Sequence, residues 1–214
     1  MKFNLAVDKI VTGPFQENTF VARDVISQKA LIIDPGDDEN TIVSFIKREK
    51  LKPLAILNTH AHLDHIGAVS KLQKLFQIPF YLHKKEKMIL DLYEQSCEMF
   101  GLPIKQKPVV DEWITNHKKL TFKNFNINII NTPGHTPGGV CYEIEEHIFV
   151  GDTLFQGSVG RTDLPGGSWD QLRQSLIHLI ETVSHNKTIH SGHGEDTKLK
   201  HELISNPFLN SIYY

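Results

Sequence analysis

The sequence predicts an α+β fold in which two mixed β-sheets pack together with helices on the outside. Apolar patterns typical of strands and helices follow one another as strands, helix, strand, helix, and the second half repeats that order. The 214 residues, of which 40% are hydrophobic and 22% charged, are enough to bury one substantial core. No low-complexity linker separates the halves, so residues 1–214 are predicted to form a single domain.

The first half begins with patterns typical of antiparallel strands. Alternation over residues 3–7 is followed by a Gly13-Pro14 turn, a strand at 19–21 and a short apolar run at 30–33. The apolar spacing between 42 and 46 predicts a helix, which Pro53 prevents from continuing. The apolar run 54–57 then predicts a buried strand that leads directly into Thr59 and His60.

Helix and strand patterns alternate through the middle of the chain. Apolar residues at 66, 69, 72 and 76 predict a helix of about three turns, and residues 79–82 predict a short strand. Residues 88–93 are typical of a helix, and the stretch from there to 117 is interpreted as a loop rich in Lys and Pro. Strand patterns return at 127–130, 140–144 and 148–150.

A capping box marks the start of the last long helix. Ser168 followed by Gln171 is its signature and predicts a helix over residues 169–183. The apolar residues of this helix form one stripe: Trp169, Leu172, Leu176, Leu179, Ile180 and Val183. A strand near 188–190 and a short terminal helix before Asn206 complete the predicted order.

Charge and composition narrow the function classes. The formal net charge is −2, whereas a protein that reads nucleic acid normally carries a net basic face, so no nucleic-acid partner is expected. The two cysteines, Cys97 and Cys141, cannot form a disulfide framework and favour a reducing compartment, the cytoplasm. The N-terminus lacks a signal-peptide pattern, and no apolar run reaches the roughly 18 residues of a spanning helix, so no membrane partner is expected.

Three of the twelve histidines fall in one short string with a carboxylate. His60, His62, Asp64 and His65 lie within six residues, directly after a predicted buried strand. Imidazole and carboxylate side chains suit zinc or iron, and the absence of thiolates argues against a structural zinc site. A helix N-cap would account for Asp64 alone, but not for the string, which therefore predicts metal ligands.

Three further residues of the same ligand types stand in glycine-bearing turns after later strands: His135, Asp152 and His193. Each is a weak signal alone. Together with the string they give seven potential ligands, enough for two adjacent metal ions, whereas a closed structural zinc needs four. The other histidines are interpreted as surface or packing residues: His83, His117, His147, His178, His185, His190 and His201. Cys141 is interpreted as a packed thiol, and Cys97 is assigned no role.

The ligand pattern resembles the metallo-β-lactamase superfamily. Its HxHxDH motif stands at residues 60–65, and single His, Asp and His residues follow at 135, 152 and 193. Segments 132–137, 151–155, 160–167 and 206–209 are most similar to small bacterial glyoxalase II-like (hydroxyacylglutathione hydrolase-like) metallo-hydrolases. The resemblance implies a four-layer αββα sandwich. It also implies two metal ions, one held by His60, His62 and His135, the other by Asp64, His65 and His193, with Asp152 bridging them.

The activity that the resemblance implies is hydrolysis of a small-molecule thioester or ester. Two divalent ions, with zinc expected and iron or manganese as alternatives, would share a water molecule and lower its pKa toward about 7. The bridging hydroxide attacks the carbonyl, with Asp64 and Asp152 as the catalytic side chains. Arg161 is a candidate for contacts with substrate or with the metal ligands, although an ion pair with Asp163 is the favoured interpretation.

Two other activities are open at this point. The first is that of a persulfide-dioxygenase-like oxidoreductase with one iron, because two histidines and a carboxylate suit iron and residues 160–163 occur in that group as well. The second is that of a metal-dependent nuclease of the same fold, which the near-neutral charge disfavours. The complete second-metal set, Asp64, His65 and His193, favours hydrolysis.

One departure from glyoxalase II limits the predicted substrate. Full-length glyoxalase II enzymes continue beyond the position of Gly194 with a helical extension whose basic residues hold glutathione. We expect that extension to be absent here, since only about twenty residues follow Gly194. Glutathione binding is therefore not carried over, and another acyl-thiol or a smaller ester is equally open.

Overall fold

A computed structural model describes residues 3–213 and divides the chain into two compact units. The first unit contains the residues up to Thr115 together with Phe122–Asn124, and the second contains Asn116–Thr121 and the residues from Phe125 onward. Each has one six-stranded sheet with both parallel and antiparallel neighbours. The predicted class, two mixed sheets with helices, is confirmed. The interpretation of residues 1–214 as a single domain stays a prediction.

Six strands form the sheet of the first unit: β1 (Leu5–Thr12), β2 (Glu17–Asp24), β3 (Lys29–Ile33), β4 (Lys52–Leu57), β5 (Phe80–His83) and β6 (Glu112–Ile114). They lie in sequence order, antiparallel from β1 to β3 and parallel from β3 to β6. The last residues of β3 and β4, Ile33 and Leu57, are register partners. Because parallel strands end at the same edge, Asp34 and the string after β4 leave the sheet side by side.

The helices of the first unit are α1 (Glu39–Arg48), α2 (Leu63–Ile66), α3 (Val69–Phe76), α4 (Lys87–Asp91) and α5 (Tyr93–Met99). The single helix predicted over 66–76 is wrong in one respect, since α2 and α3 are separate. The N–H of Ala68 donates to the carbonyl of Pro35 at 3.1 Å, and a Cβ on Gly67 would lie 2.4 Å from the carbonyl oxygen of Gly36. Between α2 and α3 the backbone therefore packs directly against the loop that contains Pro35 and Gly36.

The sheet of the second unit contains β7 (Lys119–Phe122), β8 (Phe125–Asn131), β9 (Val140–Ile144), β10 (His147–Gly151), β13 (Thr188–Ser191) and β14 (Thr197–Lys198). The strand order is β14-β13-β10-β9-β8-β7, and β13 pairs parallel with β10. The short strands β11 (Leu154–Phe155) and β12 (Ser158–Val159) form a separate pair. The predicted strands at 127–130, 140–144 and 148–150 are confirmed, whereas β6, β11, β12 and β14 are too short to show a pattern in the sequence.

Three helices complete the second unit: α6 (Trp169–Thr182), α7 (Leu199–Ser205) and α8 (Pro207–Tyr213). Ser168 caps α6 as predicted, its hydroxyl accepting the N–H of Gln171 at 3.4 Å. The predicted apolar stripe of α6 is buried apart from Trp169, which is 40% exposed. Among residues 3–213, no helix has the length and apolar character needed to cross a bilayer.

Candidate metal centre

Buried polar side chains hold the backbone of the string after β4. The amide of Asn58 donates to the carbonyl oxygen of His65 at 2.7 Å and to that of His60 at 3.4 Å. Glu86, which is fully buried, accepts the N–H of Ala61 at 2.8 Å. These bonds close residues 58–65 into a compact loop and fix the backbone from which the candidate ligands project.

The structure brings the four predicted ligands of the first unit together. The ring centroid of His60 lies 4.9 Å from that of His62 and 4.1 Å from that of His65. Nε2 of His65 lies 3.9 Å from Oδ2 of Asp64. His60 and His65 are almost fully buried, at 2% and 0% exposure. Three imidazoles and one carboxylate are thus presented within a few ångströms of one another.

Asp34 is a residue of this site that the sequence analysis missed. Its carboxylate accepts the N–H of Thr59 at 2.7 Å and the hydroxyl of Thr59 at 2.6 Å, and its Oδ2 lies 3.2 Å from Nδ1 of His65. A carboxylate at one ring nitrogen fixes a histidine's orientation and tautomer and makes the opposite nitrogen a better metal ligand. Asp34 therefore directs Nε2 of His65 toward the ligand group. In the sequence, Asp34 directly follows the apolar run 30–33, and no ligand motif marks it.

Glu17 is a second buried carboxylate beside His65. Its Oε2 accepts the hydroxyls of Thr12 at 2.8 Å and Thr19 at 3.1 Å, while its Oε1 lies 3.9 Å from Nδ1 of His65. Burial raises the pKa of Glu17 well above its ordinary value, and attraction by His65 opposes that shift. Nothing in the sequence distinguished Glu17 from other strand residues.

The second unit brings together the other three predicted ligands. Oδ2 of Asp152 lies 3.5 Å from Nε2 of His135 and 3.7 Å from Nε2 of His193. Nδ1 of His135 lies 2.7 Å from the carbonyl oxygen of Arg161, so that bond fixes the ring with Nε2 toward Asp152. A Cβ on Gly160 would lie 1.8 Å from the carbonyl oxygen of Asp152, so the chain passes too closely there for any side chain.

Arg161 acts on this group through its backbone. Its guanidinium forms two hydrogen bonds with Asp163, at 2.6 and 2.7 Å, and both side chains are more than half exposed. The pKa of Asp163 falls to about 2, chiefly because Arg161 donates to its carboxylate. The favoured interpretation of an ion pair is confirmed, and the contact with a predicted ligand is made by the carbonyl of Arg161.

Residues assigned to packing lie where that interpretation expects them. His190 is buried and bonds to Asp196 and His147, each at 2.9 Å, with Phe149 stacked on its ring. Cys141 is fully buried in the second unit's core, as predicted for a packed thiol. Cys97, which had been assigned no role, is buried on α5.

The donor chemistry of both groups fits a divalent metal centre. Each offers imidazole nitrogens and a carboxylate without thiolates, a set that zinc and iron accept. One imidazole in each group has its other nitrogen fixed, that of His65 by a carboxylate and that of His135 by a carbonyl. This arrangement is typical of metal-ligating histidines. The residues present therefore fit the ions that the motif implies.

Comparisons with known proteins agree with this chemistry. The profile described as "Metallo-beta-lactamase superfamily" matches residues 12–183. The "Probable metallo-hydrolase YqgX" of Bacillus subtilis is 38% identical, over 95% of this chain and 97% of its own. The "Hydroxyacylglutathione hydrolase GloC" of Haemophilus influenzae is 34% identical, over 96% and 98%.

Two solved structures are also similar. The BLEG-1 B3 metallo-β-lactamase has a TM-score of 0.90 and 42% identity, with 95% of this chain and 99% of that chain covered. TTHA1623 in a di-iron-bound form has a TM-score of 0.85 and 34% identity, with 94% and 100% covered. These similarities extend over almost the whole chain.

Proposed function

Because the chain belongs to the metallo-β-lactamase superfamily, whose metal-dependent hydrolases it resembles along almost its full length, we propose that it is a two-metal, glyoxalase II-like hydrolase of small-molecule thioesters or esters. The observation that carries the proposal is the set of buried and half-buried imidazole and carboxylate donors on both units. The 34% identity to a hydroxyacylglutathione hydrolase supports the substrate class. The proposed compartment is the cytoplasm, since both cysteines are free and buried.

The metal ligands follow the motif. One ion is assigned to His60, His62 and His135, a second to Asp64, His65 and His193, and Asp152 is shared. When bound, two divalent ions supply Lewis acidity and lower the pKa of the water they share. Zinc is the proposed metal, with iron and manganese as alternatives. Iron is included because the similar structure of TTHA1623 is a di-iron-bound form.

The chain's own residues orient the reacting groups. Asp34 and the carbonyl of Arg161 present Nε2 of His65 and of His135 as ligands. The carboxylate of Asp152 is proposed to orient the attacking water, and that of Asp64 to accept its proton and pass it to the leaving sulfur or oxygen. Water adds to the acyl carbon, the carbon–sulfur or carbon–oxygen bond breaks, and the thiol or alcohol leaves with a proton.

The test combines metal analysis with turnover. Protein loaded with zinc, iron or manganese is assayed for elemental content and for hydrolysis of an S-lactoyl thioester. About two ions per chain with turnover is the expected result. His62→Ala and Asp152→Ala should each lose metal and activity, and His178→Ala, an exposed histidine of α6, serves as the matched control. One iron per chain, with oxygen uptake on a persulfide and no thioester cleavage, would show the dioxygenase chemistry instead.

A second candidate is hydrolysis of a β-lactam amide, favoured by the 42% identity to a B3 metallo-β-lactamase. The same donor groups would serve both reactions, because each begins with attack of water on a carbonyl carbon. A chromogenic cephalosporin distinguishes the two. A kcat/KM for the cephalosporin above that for every thioester tested would make β-lactam hydrolysis the primary activity.

A further inference from the structure

A small cavity of the first unit lies beside the predicted ligand Asp64. Its volume is about 150 Å³, and its walls come from four places: the turn between β1 and β2, the loop after β3, helix α2 with the glycine that follows it, and α5 with the loop after it. Asp64 and Leu63 line one side, Phe15 a second, and Tyr93 and Leu102 a third. The metal-binding string and this cavity thus share a wall.

The lining is mostly apolar and uncharged. Besides Phe15, Leu63 and Leu102 it includes Tyr93 and Cys97, which are 3% and 2% exposed. Burial raises the pKa of both the Tyr93 phenol and the Cys97 thiol, so neither carries a charge at neutral pH. An apolar group that enters this cavity leaves water without burying an unmatched charge.

The one ammonium at the cavity is already matched by acidic groups. Lys105 bonds to the carboxylate of Asp37 and, at 2.8 Å, to that of Glu39. Lys71 also lies 3.4 Å from Glu39, so the two carboxylates and the two ammonium groups match one another and the wall offers no unpaired cation to an acidic ligand. A carboxylate that entered the cavity would therefore lose its hydration without gaining a partner in the wall.

The cavity's volume limits what fits. An apolar protein cavity of about 150 Å³ holds a molecule the size of benzene, which has six carbon atoms. A thiol carrier such as a glutathione-sized peptide is far larger and must lie outside. A thioester consists of an acyl group and a thiol carrier. Only the acyl chain is small enough to enter the cavity, with the thioester carbonyl left beside Asp64.

We propose that this cavity is the acyl pocket of the hydrolase and selects thioesters with short, uncharged acyl chains of up to about six carbons. The inference rests on the proposed function, because it assigns the cavity to a substrate of the same centre. Leu102 and Phe15 are the specificity-determining residues. Lys105 is a positioning residue, since it fastens the loop that carries Leu102 to the start of α1.

The first experiment measures chain-length preference. The metal-loaded enzyme is assayed with N-acetylcysteamine thioesters of acetate, butanoate, hexanoate, octanoate, decanoate and succinate. We expect kcat/KM to rise to hexanoyl and to fall at least tenfold by decanoyl, with succinyl at least tenfold below butanoyl. Equal values from two to ten carbons, or succinyl equal to butanoyl, would overturn the acyl pocket. Cleavage of none of the thioesters would instead contradict the proposed function.

Variants test the wall directly. Leu102→Trp should lower the ratio of hexanoyl to acetyl kcat/KM at least tenfold, and Leu102→Ala should move the optimum toward octanoyl. Ile104→Trp, at a 49% exposed position outside the cavity lining, is the matched control and should leave the ratio as it is. An unchanged ratio in both Leu102 variants would overturn the inference.

A binding measurement covers the case in which a variant folds poorly or no thioester is turned over. Hexanamide is titrated into the metal-loaded protein while leucine methyl resonances are followed by NMR. We expect saturable shifts for Leu63 and Leu102, weaker binding of octanamide and decanamide, and no such shifts with succinamate, the anionic analogue. Absence of hexanamide binding would overturn the pocket, whatever the catalytic results.

Discussion

Asp34 lies with its two carboxylate oxygens between Thr59 and the ring of His65. The bonds from Thr59 hold the carboxylate, and the carboxylate holds the ring. A positioned carboxylate behind a ligating histidine contributes about 10- to 100-fold to metal affinity. We therefore expect Asp34 to tune the metal affinity of the proposed ligand His65, although it stands 31 residues before it and outside the motif.

We predict that Asp34→Asn weakens zinc binding by about 10- to 100-fold while the fold is retained. The amide oxygen can still accept a bond from Thr59, but the negative charge beside Nδ1 of His65 is gone. Competition with a chromophoric chelator measures the affinity. Asp170→Asn, at an exposed position of α6, is the control. Wild-type affinity in Asp34→Asn would show that the contact does not tune the ligand.

At the scale of elements, one ammonium joins the start of α1 to the loop after α5. Lys105 bonds to Asp37 and Glu39, and Lys71 on α3 also lies 3.4 Å from Glu39. Burial alone would raise the pKa of Glu39, but hydrogen bonding and attraction by Lys105 outweigh it and lower the pKa to about 2. A lowered carboxyl pKa adds stability above the ordinary value of 4.5 that is lost as pH falls toward 2.

Lys105→Met should therefore destabilise the protein by about 1 kcal/mol at pH 7, a figure that allows for solvent screening of a partly exposed pair. At pH 3 the difference from wild type should shrink, because protonation of Glu39 in the unfolded chain already removes part of the contribution. Urea unfolding at the two pH values measures both. Lys47→Met, at an exposed position of α1, is the control. A difference that grows toward pH 3 would contradict the assignment.

The C-terminal helices depend on one buried carboxylate. Glu202 of α7 is fully buried and accepts the N–H of Gly157 at 2.8 Å, the hydroxyl of Thr197 at 2.5 Å and the amide of Asn206 at 2.9 Å. Asn206 in turn accepts the N–H of Phe208 in α8 at 3.0 Å. This network ties α7 and α8 to the β11–β12 pair.

Glu202→Ala should destabilise the protein by about 3 kcal/mol, because three donors lose a buried carboxyl acceptor. Thermal and urea unfolding measure this change in the free energy of unfolding. Glu181→Ala, at an exposed position of α6, is the control. A loss below about 1 kcal/mol would mean that water replaces the carboxylate in this network.

For the whole molecule, metal binding and stability should be linked. Ions that bind the folded chain alone raise the free energy of unfolding, by about 2.7 kcal/mol when free metal is at 100 times its dissociation constant. We predict that chelation lowers the unfolding temperature and that added zinc restores it. Asp152→Ala should show a much smaller response. Equal unfolding temperatures with and without metal, at saturating zinc, would contradict a metal centre in the folded state.

Much of the fold, and the clustering of the candidate ligands, could be predicted because strong, repeated patterns encode them. Continuous apolar runs identified β3 and β4, and the dense His and Asp string marked the candidate ligands of the first unit. The break between α2 and α3 left no such signal, since it depends on a backbone contact with a distant loop. The sequence did not identify Asp34 and Glu17 for the same reason. Both carboxylates come to lie beside His65 only once β2, β3 and the string pack together in the fold.

Gly36 and Gly67 lie where the neighbouring backbone leaves no room for a side chain, which restricts substitution at both positions. A Cβ on Gly36 would lie 1.8 Å from the carbonyl oxygen of Asp64, and one on Gly67 would lie 2.4 Å from that of Gly36. In each case the obstacle is backbone, which cannot turn aside as a side chain can. Libraries randomised at these two positions should return glycine alone among active clones. The string that carries the proposed ligands thus packs against a part of the chain that does not tolerate side chains.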